Sequence, residues 1–406
     1  MKRRHGQMLF SSFATFRPPR TPSVLPTNTH AAMRTLLSLF MLLLTVEVSA
    51  QIPAAHIHPP ERAIRFPHLD TLLTLSCDLH THSVFSDGSV WPDIRVQEAV
   101  RDSLDALAVT EHLEYQPHRE DLPHPDRNRA FQLAEQYARP YGLIVIPGSE
   151  ITRDMPPGHC NALFISDANR LLHDDYMAVF KEARAQGAFI FWNHPNWVAQ
   201  RPDGMATLTD LHRQLIAEGL LHGIEVVNDV TFSEEALQIA LDYDLTLIGT
   251  SDIHGLIDWQ YRVAEGGHRP VTLVFARERS AEAIREALFQ RRTAVWYDNT
   301  LIAREREMLP LLSECISVEK TWYDGDRSVA RVVLRNESDA HFILENLSGF
   351  TLHEHPDIVL LPPHARLEIG VKTLTQLDAF TLRFRVWNAL TAPGRHPVIE
   401  LVARGS

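Results

Sequence analysis

Cysteine is scarce in this chain, which contains three cysteines among 406 residues. Cys77, Cys160 and Cys315 are too few and too widely spaced for a disulfide framework or a cysteine-rich structural zinc site. Cys77 and Cys160 each lie beside a candidate metal ligand, but cysteine is more often a small buried residue than a ligand. We therefore predict that both are buried strand residues.

The chain also lacks an excess of positive charge. Its formal net charge is −12 at pH 7. Broad, non-specific binding to nucleic acid needs a basic surface that displaces counterions, and this composition excludes it. We expect no specific binding to nucleic-acid duplexes, and the sequence leaves the oligomeric state open.

One apolar stretch, 36–46, is too short to span a membrane. It follows Met33 and Arg34 and precedes the small residues Ser49 and Ala50, the pattern of a secretory signal. We predict a signal region over 1–50, a true start at Met33 and cleavage after Ala50. The basic segment 1–32 also fits a long n-region or an organellar transit peptide. The predicted location is periplasmic or secreted, with a linker over 51–71 and no transmembrane helix in the mature chain.

Between residues 72 and 300, apolar runs alternate with helical patterns. The runs are 72–75, 106–109, 143–146, 162–165, 188–192, 223–227, 245–248 and 271–275. Helices are predicted at 91–103, 127–139, 174–186, 208–218, 233–243 and 280–290. Near-continuous apolar runs suit strands buried on both faces, and the repeated order of strand and helix predicts a parallel sheet or a (β/α) barrel.

From residue 317 the pattern changes to short alternating segments separated by turn residues. The segments are 317–322, 330–334, 342–344, 365–371 and 380–387. Such segments predict a small all-β, Ig-like sandwich over 317–406, joined to the barrel by a linker over 301–316.

Polar residues that can bind metal follow the predicted strands. Chance alone gives about one H-x-H pair in a chain of this composition, and the sequence has three, at His56/His58, His80/His82 and His353/His355. Only the second pair is accompanied by further candidates at later strand ends. The set comprises His80, His82, Asp87, His112, Glu150, His159, His194, Asp252 and His254. Strand ends converge at the mouth of a parallel barrel, and imidazole with carboxylate suits zinc, manganese or iron.

Five motifs, in order, carry a resemblance to a known family. They are Asp78-x-His80-x-His82-Ser83-x-x-Ser86-Asp87-Gly88, Val109-Thr110-Glu111-His112, Pro147-Gly148-Ser149-Glu150, Asn193-His194-Pro195 and Gly249-Thr250-Ser251-Asp252-Ile253-His254. Between about residues 75 and 296 the chain resembles the PHP (polymerase and histidinol phosphatase) family. The resemblance implies an α/β fold, a distorted (β/α)7 TIM-like barrel, that holds two or three divalent metal ions and hydrolyses phosphate esters.

The resemblance also implies how the ligands are shared. Metal 1 would lie on His80, His82, Glu150 and Asp252. Metal 2 would lie on the bridging Glu150 with His159 and His194, and metal 3 on Asp87, His112 and His254. Ions 1 and 2 would ionise a shared water near neutral pH for attack on phosphorus, and ion 3 would neutralise charge on the phosphate. Glu150, Asp252 and His194 are accordingly the predicted catalytic residues.

Several neighbouring residues are candidate helpers. Asp78 and Glu111 flank predicted ligands and either orient imidazole N–H groups or are solvated acids. Arg153 would clamp a phosphate, and Asn161 and Asn196 would contact substrate. Trp197 and Gln200 are further candidates for the pocket lining, and each of these residues also has a purely structural interpretation.

The sequence therefore predicts an exported metal-dependent phosphoesterase, a phosphodiesterase or a phosphatase, whose partner is a small phosphate ester. One alternative is amidohydrolase-like hydrolysis of C–N or ester bonds, disfavoured because no lysine occurs between Lys2 and Lys181 to form a carbamylated ligand. The other is a surface binding protein that uses its C-terminal β domain.

Overall fold

The computed structural model of the chain describes residues 63–122 and 124–405. The predicted signal region lies outside these residues. In the part that is described, no helix combines the length and the apolar character needed to cross a membrane.

The first part of the chain builds one twelve-stranded sheet, which the C-terminal domain completes with one short strand. Its strands are β1 (Leu73–Asp78), β2 (Ala106–Val109), β3 (Ile144–Ile151), β4 (Cys160–Leu163), β5 (Phe189–Trp192), β6 (Gly223–Asn228), β7 (Thr231–Phe232), β8 (Thr246–Thr250), β9 (Val271–Ala276), β10 (Thr293–Tyr297), β11 (Thr300–Ala303) and β19 (Ala389–Leu390). The strand order is β19-β11-β10-β9-β1-β2-β3-β4-β5-β6-β7, with β8 paired to β6. Every residue of β2, β5, β6, β8 and β9 is buried, as their apolar runs predict.

Helices connect and cover these strands. They are α1 (Pro92–Arg101), α2 (Arg129–Ala138), α3 (Tyr176–Ala185), α4 (Asp210–Ala217), α5 (Glu234–Asp242), α6 (Ile257–Gln260), α7 (Ala281–Phe289) and α8 (Glu305–Cys315), with 3-10 turns at Arg139–Tyr141, Ala168–Leu171 and Val263–Glu265. Ser233 and Ser280 cap α5 and α7 by accepting a hydrogen bond from a backbone N–H of the first turn. The six predicted helices are all present, each shortened by its capping residues.

The sheet curls until β8 meets the strands on its other side. Thr272 Oγ1 of β9 donates to Gly249 O (2.9 Å) and accepts from Gly249 N (3.0 Å). Beyond the strands, Thr81 pairs in parallel with Ile253. The glycine is required because a Cβ at position 249 would lie 2.2 Å from Val295 Cγ1.

The strand directions depart from the expected parallel sheet. β4 is antiparallel to both of its neighbours, and β9 is antiparallel to β1. The connection from β3 to β4 contains no helix, so the chain turns back directly and β4 must run in the opposite direction.

The C-terminal part is an Ig-like sandwich of two four-stranded sheets, ordered β12-β13-β17-β15 and β16-β14-β18-β20. Its strands are β12 (Ile316–Tyr323), β13 (Val329–Asn336), β14 (Phe342–Asn346), β15 (Thr351–His353), β16 (Ile358–Leu361), β17 (Arg366–Lys372), β18 (Ala379–Val386) and β20 (Val398–Arg404). Alternate residues of β13 and β18 are buried between the two sheets.

The described parts of the two predicted linkers, 63–71 and 301–316, contain buried apolar side chains. The segment 301–316 forms most of β11, α8 and the first residue of β12, and Leu311 and Leu312 of α8 are fully buried. In the predicted linker 51–71, Ile64 and Phe66 are buried, and the Phe66 ring lies 5.2 Å from the Trp296 ring. Within the described residues, both segments therefore place apolar side chains in the hydrophobic core, while the domain bounds stay predictions. The three cysteines are buried free thiols, as predicted for Cys77 and Cys160.

Candidate metal centre

The centre begins at the end of β1, where alternation along an extended chain turns His80 and His82 to the same side. Both imidazoles are buried, and their Nε2 atoms lie 3.0 Å apart. Asp252, beyond β8, places Oδ1 3.2 Å from His80 Nε2 and 3.1 Å from His82 Nε2. The three residues aim nitrogen and oxygen lone pairs at one point.

Glu150 lies near the end of β3 and is completely buried among imidazoles. Its Oε1 lies 3.1 Å from His159 Nδ1 and 3.4 Å from His194 Nε2. The same carboxylate is 3.6 Å from the Nε2 atoms of both His80 and His82. Glu150 is therefore shared between two groups of histidines, as a bridging ligand must be.

A third group lies toward solvent. Asp87 Oδ1 is 3.1 Å from His254 Nε2, and Asp87 Oδ2 is 3.4 Å from His112 Nε2. Gly88 permits the tight turn that carries Asp87, because a Cβ there would lie 2.8 Å from the backbone of Ser83.

The structure thus brings together all nine predicted ligands. Three sets have ligand atoms within 4.8 Å of one another, namely His82/Asp87/His112/His254, His80/His82/Glu150 and His112/Glu150/His159. The groupings differ from the prediction at four residues. His82 also joins Asp87, His112 and His254, and His112 also joins Glu150 and His159, with His112 Nδ1 2.5 Å from Glu150 Oε2. Asp252 and His194 belong to none of the three sets and contact them through His80 and Glu150. This donor set of imidazoles and carboxylates, without thiolates, fits zinc, manganese or iron.

The nine residues perturb one another's ionisation strongly. Burial opposes charge at Glu150, but His112, His80 and His159 outweigh it and keep the pKa of Glu150 well below its ordinary value. Burial likewise opposes a charged imidazole at His112, but Glu150 and Asp87 raise the pKa of His112 to about 10. For His82, burial and the neighbouring His112 lower the pKa to about 3. Protons therefore neutralise the carboxylates, and metal ions must displace those protons to bind.

Two predicted ligands have strained backbones. His194 has a φ of 28° and Asp252 a φ of 48°, in the left-handed region that costs non-glycine residues of order 1–3 kcal/mol. Hydrogen bonds hold both in place, from His194 N to Glu225 Oε2 (2.6 Å) and from Asp252 N to His80 O (2.9 Å).

The centre opens into a cleft of about 560 Å³. Asn196 and Trp197 line it, together with Asn228, Asp229 and Gln260. The Trp197 ring lies 5.6 Å from the His159 ring and 5.2 Å from the His194 ring, so it forms a wall beside two predicted ligands.

Comparisons with known proteins agree with this architecture. A two-domain protein from Bacteroides vulgatus that contains a predicted PHP-like metal-dependent phosphoesterase is 43% identical, with a TM-score of 0.79 over 84% of this chain and 98% of that one. The chain belongs to the PHP family. A family model described as an Ig-like domain matches residues 316–402. None of the curated proteins gives a match.

Two further solved structures are more distant from this PHP protein. PsfC from Pseudomonas syringae is 17% identical, with a TM-score of 0.39 over 59% of this chain and 96% of that one. An amidohydrolase from Chromobacterium violaceum is 16% identical, with a TM-score of 0.32 over 44% of this chain and 87% of that one.

In the PHP domain itself, Lys181 is exposed on α3, away from the nine residues.

Sequence reasoning missed Glu225, a buried acid in the middle of β6. Its Oε1 lies 2.8 Å from His80 Nδ1 and accepts from Thr250 Oγ1 at 2.6 Å. Asn228 Nδ2 donates to Oε2 at 2.8 Å. Glu225 therefore fixes the imidazole of His80 so that Nε2 faces the centre. A single acid within the apolar run 223–227 was the signal.

Asp78 and Glu111 are buried acids that hydrogen-bond to neighbouring side chains. Asp78 is fully buried and pairs with Arg269 (3.1 Å) and with the Ser251 hydroxyl (2.5 Å). Glu111 accepts hydrogen bonds from the hydroxyls of Ser83 and Ser86. Neither acid contacts an imidazole directly, but Ser86 Oγ lies 3.3 Å from His82 Nδ1, so Glu111 acts on that ring through Ser86.

Of the three predicted substrate residues, only Asn196 lines the cleft. Arg153 pairs with Glu114 (Nη2 to Oε1, 2.8 Å) and donates to His173 O, so its guanidinium is held outside the cleft. Asn161 is fully buried within β4. Gln200 donates to Arg153 O, while Trp197 forms a wall of the cleft. The structure thus turns Arg153 to Glu114 and encloses Asn161 in β4, since spacing along the chain does not give the direction of a side chain.

Proposed function

We propose that the protein is an exported metal-dependent phosphoesterase that hydrolyses phosphate monoesters or diesters. The observation that carries the proposal is the convergence of nine imidazole and carboxylate side chains, among which Glu150 is shared between two groups of histidines. The 43% identity to a protein that contains a predicted PHP-like metal-dependent phosphoesterase supports the same chemistry.

The residues present fit two or three divalent ions. His80, His82, Glu150 and Asp252 would hold the first ion. His159 and His194 would hold the second with Glu150, and Asp87, His112 and His254 the third. Bound ions would supply Lewis acidity, a water of lowered pKa and positive charge that neutralises the phosphate. The curled sheet would then act as a divergent form of the (β/α)7 barrel, with β4 and β9 reversed.

The chain's own residues prepare this centre. Asn193 Nδ2 donates to Glu150 Oε1 at 2.7 Å and orients the shared carboxylate. Glu225 fixes His80, and Asn228 donates to Asp252 Oδ2 at 3.2 Å. The indole of Trp197 shields one side of the centre from water. An ester entering the cleft would therefore meet ligands that are already oriented, which reduces the reorganisation needed during reaction.

Activity of the purified protein tests the proposal. Protein beginning at Gln51 should hydrolyse p-nitrophenyl phosphate or bis(p-nitrophenyl) phosphate when supplied with manganese or zinc. His194→Ala and Asp252→Ala should abolish turnover. His353→Ala is the matched control, because His353 lies on β15 of the sandwich. Unchanged turnover in both centre variants would overturn the proposal.

Export rests on the sequence pattern of 33–50 alone. Expression of the full chain, followed by fractionation and N-terminal sequencing of the mature protein, should recover it outside the cytoplasm with Gln51 as its first residue. Recovery of uncleaved protein only in the cytoplasm would contradict export and leave the catalytic proposal intact.

A further inference from the structure

The part of the cleft beyond the predicted ligands has a distinct chemical character. Its walls offer an indole from Trp197, amides from Asn196 and Gln260, and one carboxylate from Asp229. Among the described residues that line the cleft, none is lysine or arginine. Arg153, which the sequence predicted as a phosphate-binding residue, forms an ion pair with Glu114 instead. The metal centre is therefore the main source of positive charge in the cleft.

Asp229 is held at a defined place in this cleft. It follows Asn228, whose amide contacts the predicted ligand Asp252. Its backbone, with a φ of 52°, is anchored by a hydrogen bond from Asp229 N to Thr250 O (3.1 Å). The amide of Gln260 donates to Asp229 Oδ1, and the Tyr261 hydroxyl lies 3.1 Å from the same oxygen. The carboxylate is thus a fixed hydrogen-bond acceptor that repels a second anionic group.

Trp197 supplies the complementary surface. Its indole is 44% exposed although it lies beside His159 and His194. The hydrogen bond from Trp197 N to His194 O (2.9 Å) fixes the turn that carries the ring. A flat group attached to a phosphate at the centre would lie against this indole, and such stacking commonly stabilises a bound ring.

We infer that the substrate is a phosphate ester whose alcohol part is uncharged, carries a flat ring that packs on Trp197, and offers a hydroxyl hydrogen to Asp229. This inference rests on the proposed phosphoesterase function. It makes Trp197 and Asp229 the specificity-determining residues, the first for the ring and the second against an additional phosphate.

Three compounds that each carry a phosphate on a primary alcohol separate these contributions. Release of that phosphate is the reaction measured, so the leaving oxygen is similar in all three, and release from the secondary 3′-oxygen of the bisphosphate is followed separately. Adenosine 5′-monophosphate carries a flat ring and hydroxyls, sn-glycerol 3-phosphate has hydroxyls without a ring, and adenosine 3′,5′-bisphosphate adds a second phosphate. The metal-loaded enzyme should show the highest kcat/KM for the monophosphate. Trp197→Ala should lower kcat/KM for the monophosphate about tenfold or more, with less than a twofold effect on glycerol phosphate.

Asp229→Asn should raise the ratio of kcat/KM for the bisphosphate over the monophosphate by about tenfold, because it removes one unit of like charge. This ratio does not depend on the fraction of folded enzyme, so partial misfolding cannot imitate the effect. The matched controls are Trp387→Ala, on the sandwich, and Asp203→Asn, which pairs with Arg201 at the surface. Both should leave the substrate ratios unchanged.

The inference falls if the wild type hydrolyses the bisphosphate as well as the monophosphate, or if Trp197→Ala affects both monophosphates equally. Turnover of p-nitrophenyl phosphate in the same preparations would then show that the proposed phosphoesterase function still stands. Absence of turnover with every phosphate ester would overturn both the function and the inference.

Discussion

Replacing Glu225 by glutamine should weaken metal binding without unfolding the protein. The carboxylate meets four donors, His80 Nδ1 and Thr250 Oγ1 at Oε1, and His194 N and Asn228 Nδ2 at Oε2. His80 Nδ1 is assigned as a donor because Nε2 of the same ring faces His82 and Asp252. Glutamine has the same shape, but its NH₂ group must face one of these pairs of donors.

The expected loss of metal affinity in Glu225→Gln follows from the hydrogen bonds that are lost. Hydrogen bonds to a charged group contribute about 1.5–3 kcal/mol. Loss of a carboxylate that orients a metal-binding histidine commonly lowers metal affinity about 10–100-fold. That range corresponds to about 1.4–2.8 kcal/mol, which agrees with the loss of one such hydrogen bond. We therefore expect the dissociation constant of Glu225→Gln for manganese or zinc to rise by about 10–100-fold.

Calorimetric titration of metal-free protein at pH 7 measures this difference. Glu234→Gln removes the same charge from the exposed first turn of α5 and is the matched control. Circular dichroism establishes that each variant is folded. A folded Glu225→Gln variant that binds metal within twofold of the wild type would refute the assignment of Glu225 as the residue that orients His80.

Three further predictions concern stability and protonation. Burial lowers the pKa of His212 to about 4, so at falling pH the unfolded chain gains a proton that the folded chain resists. This group does not lower the free energy of unfolding above pH 6.5, and it lowers that free energy by about 3 kcal/mol at pH 4. Urea unfolding at pH 7 and 4.5 should show a smaller loss of stability for His212→Asn than for the wild type. An equal loss in both proteins would contradict this assignment. Gly249→Ala should destabilise the protein by about 1–3 kcal/mol, because the added Cβ clashes with Val295. Adding Val295→Ala to the same chain should restore much of the lost stability, and melting temperatures measure both effects. Metal added to metal-free protein in weak buffer at pH 7 should release protons and raise the melting temperature, and a chelator should reverse both effects. A constant pH on metal addition would contradict the inference that protons occupy the ligands before metal binds.

Eight strands and six helices of the PHP domain could be predicted because each is a continuous pattern. The shorter or later elements β7, β10, β11, α6 and α8 were not predicted. Runs such as 106–109 and 188–192 are apolar throughout since these strands are covered on both faces. Strand direction has no such local signature. The reversal of β4 depends on whether a helix forms in the preceding connection, where Pro156 and Pro157 occupy the loop.

The candidate ligands could be located for a similar reason, because strand ends converge whatever the details of the loops. The direction of an individual side chain was not predictable. Arg153 is three residues from Glu150, yet its guanidinium turns to Glu114, a partner 39 positions away in sequence. Glu225 was overlooked because a single acid inside an apolar run signals an unusual residue but does not identify its partners, and only the fold brings it to His80 and His194.

The arrangement of charge explains why this centre can be formed before metal arrives. Buried carboxylates without partners would be too costly, but the raised pKa of His112 and the lowered pKa of Glu150 keep that pair oppositely charged. The apolar clusters around the sheet are separate from the centre, since residues such as Phe189, Ile248 and Val274 pack against other apolar side chains. Metal binding should therefore exchange protons for ions within a folded chain, unlike small zinc domains that fold only when metal binds. The strained backbones of His194 and Asp252 fit this view, because the surrounding sheet must already be stable enough to hold them.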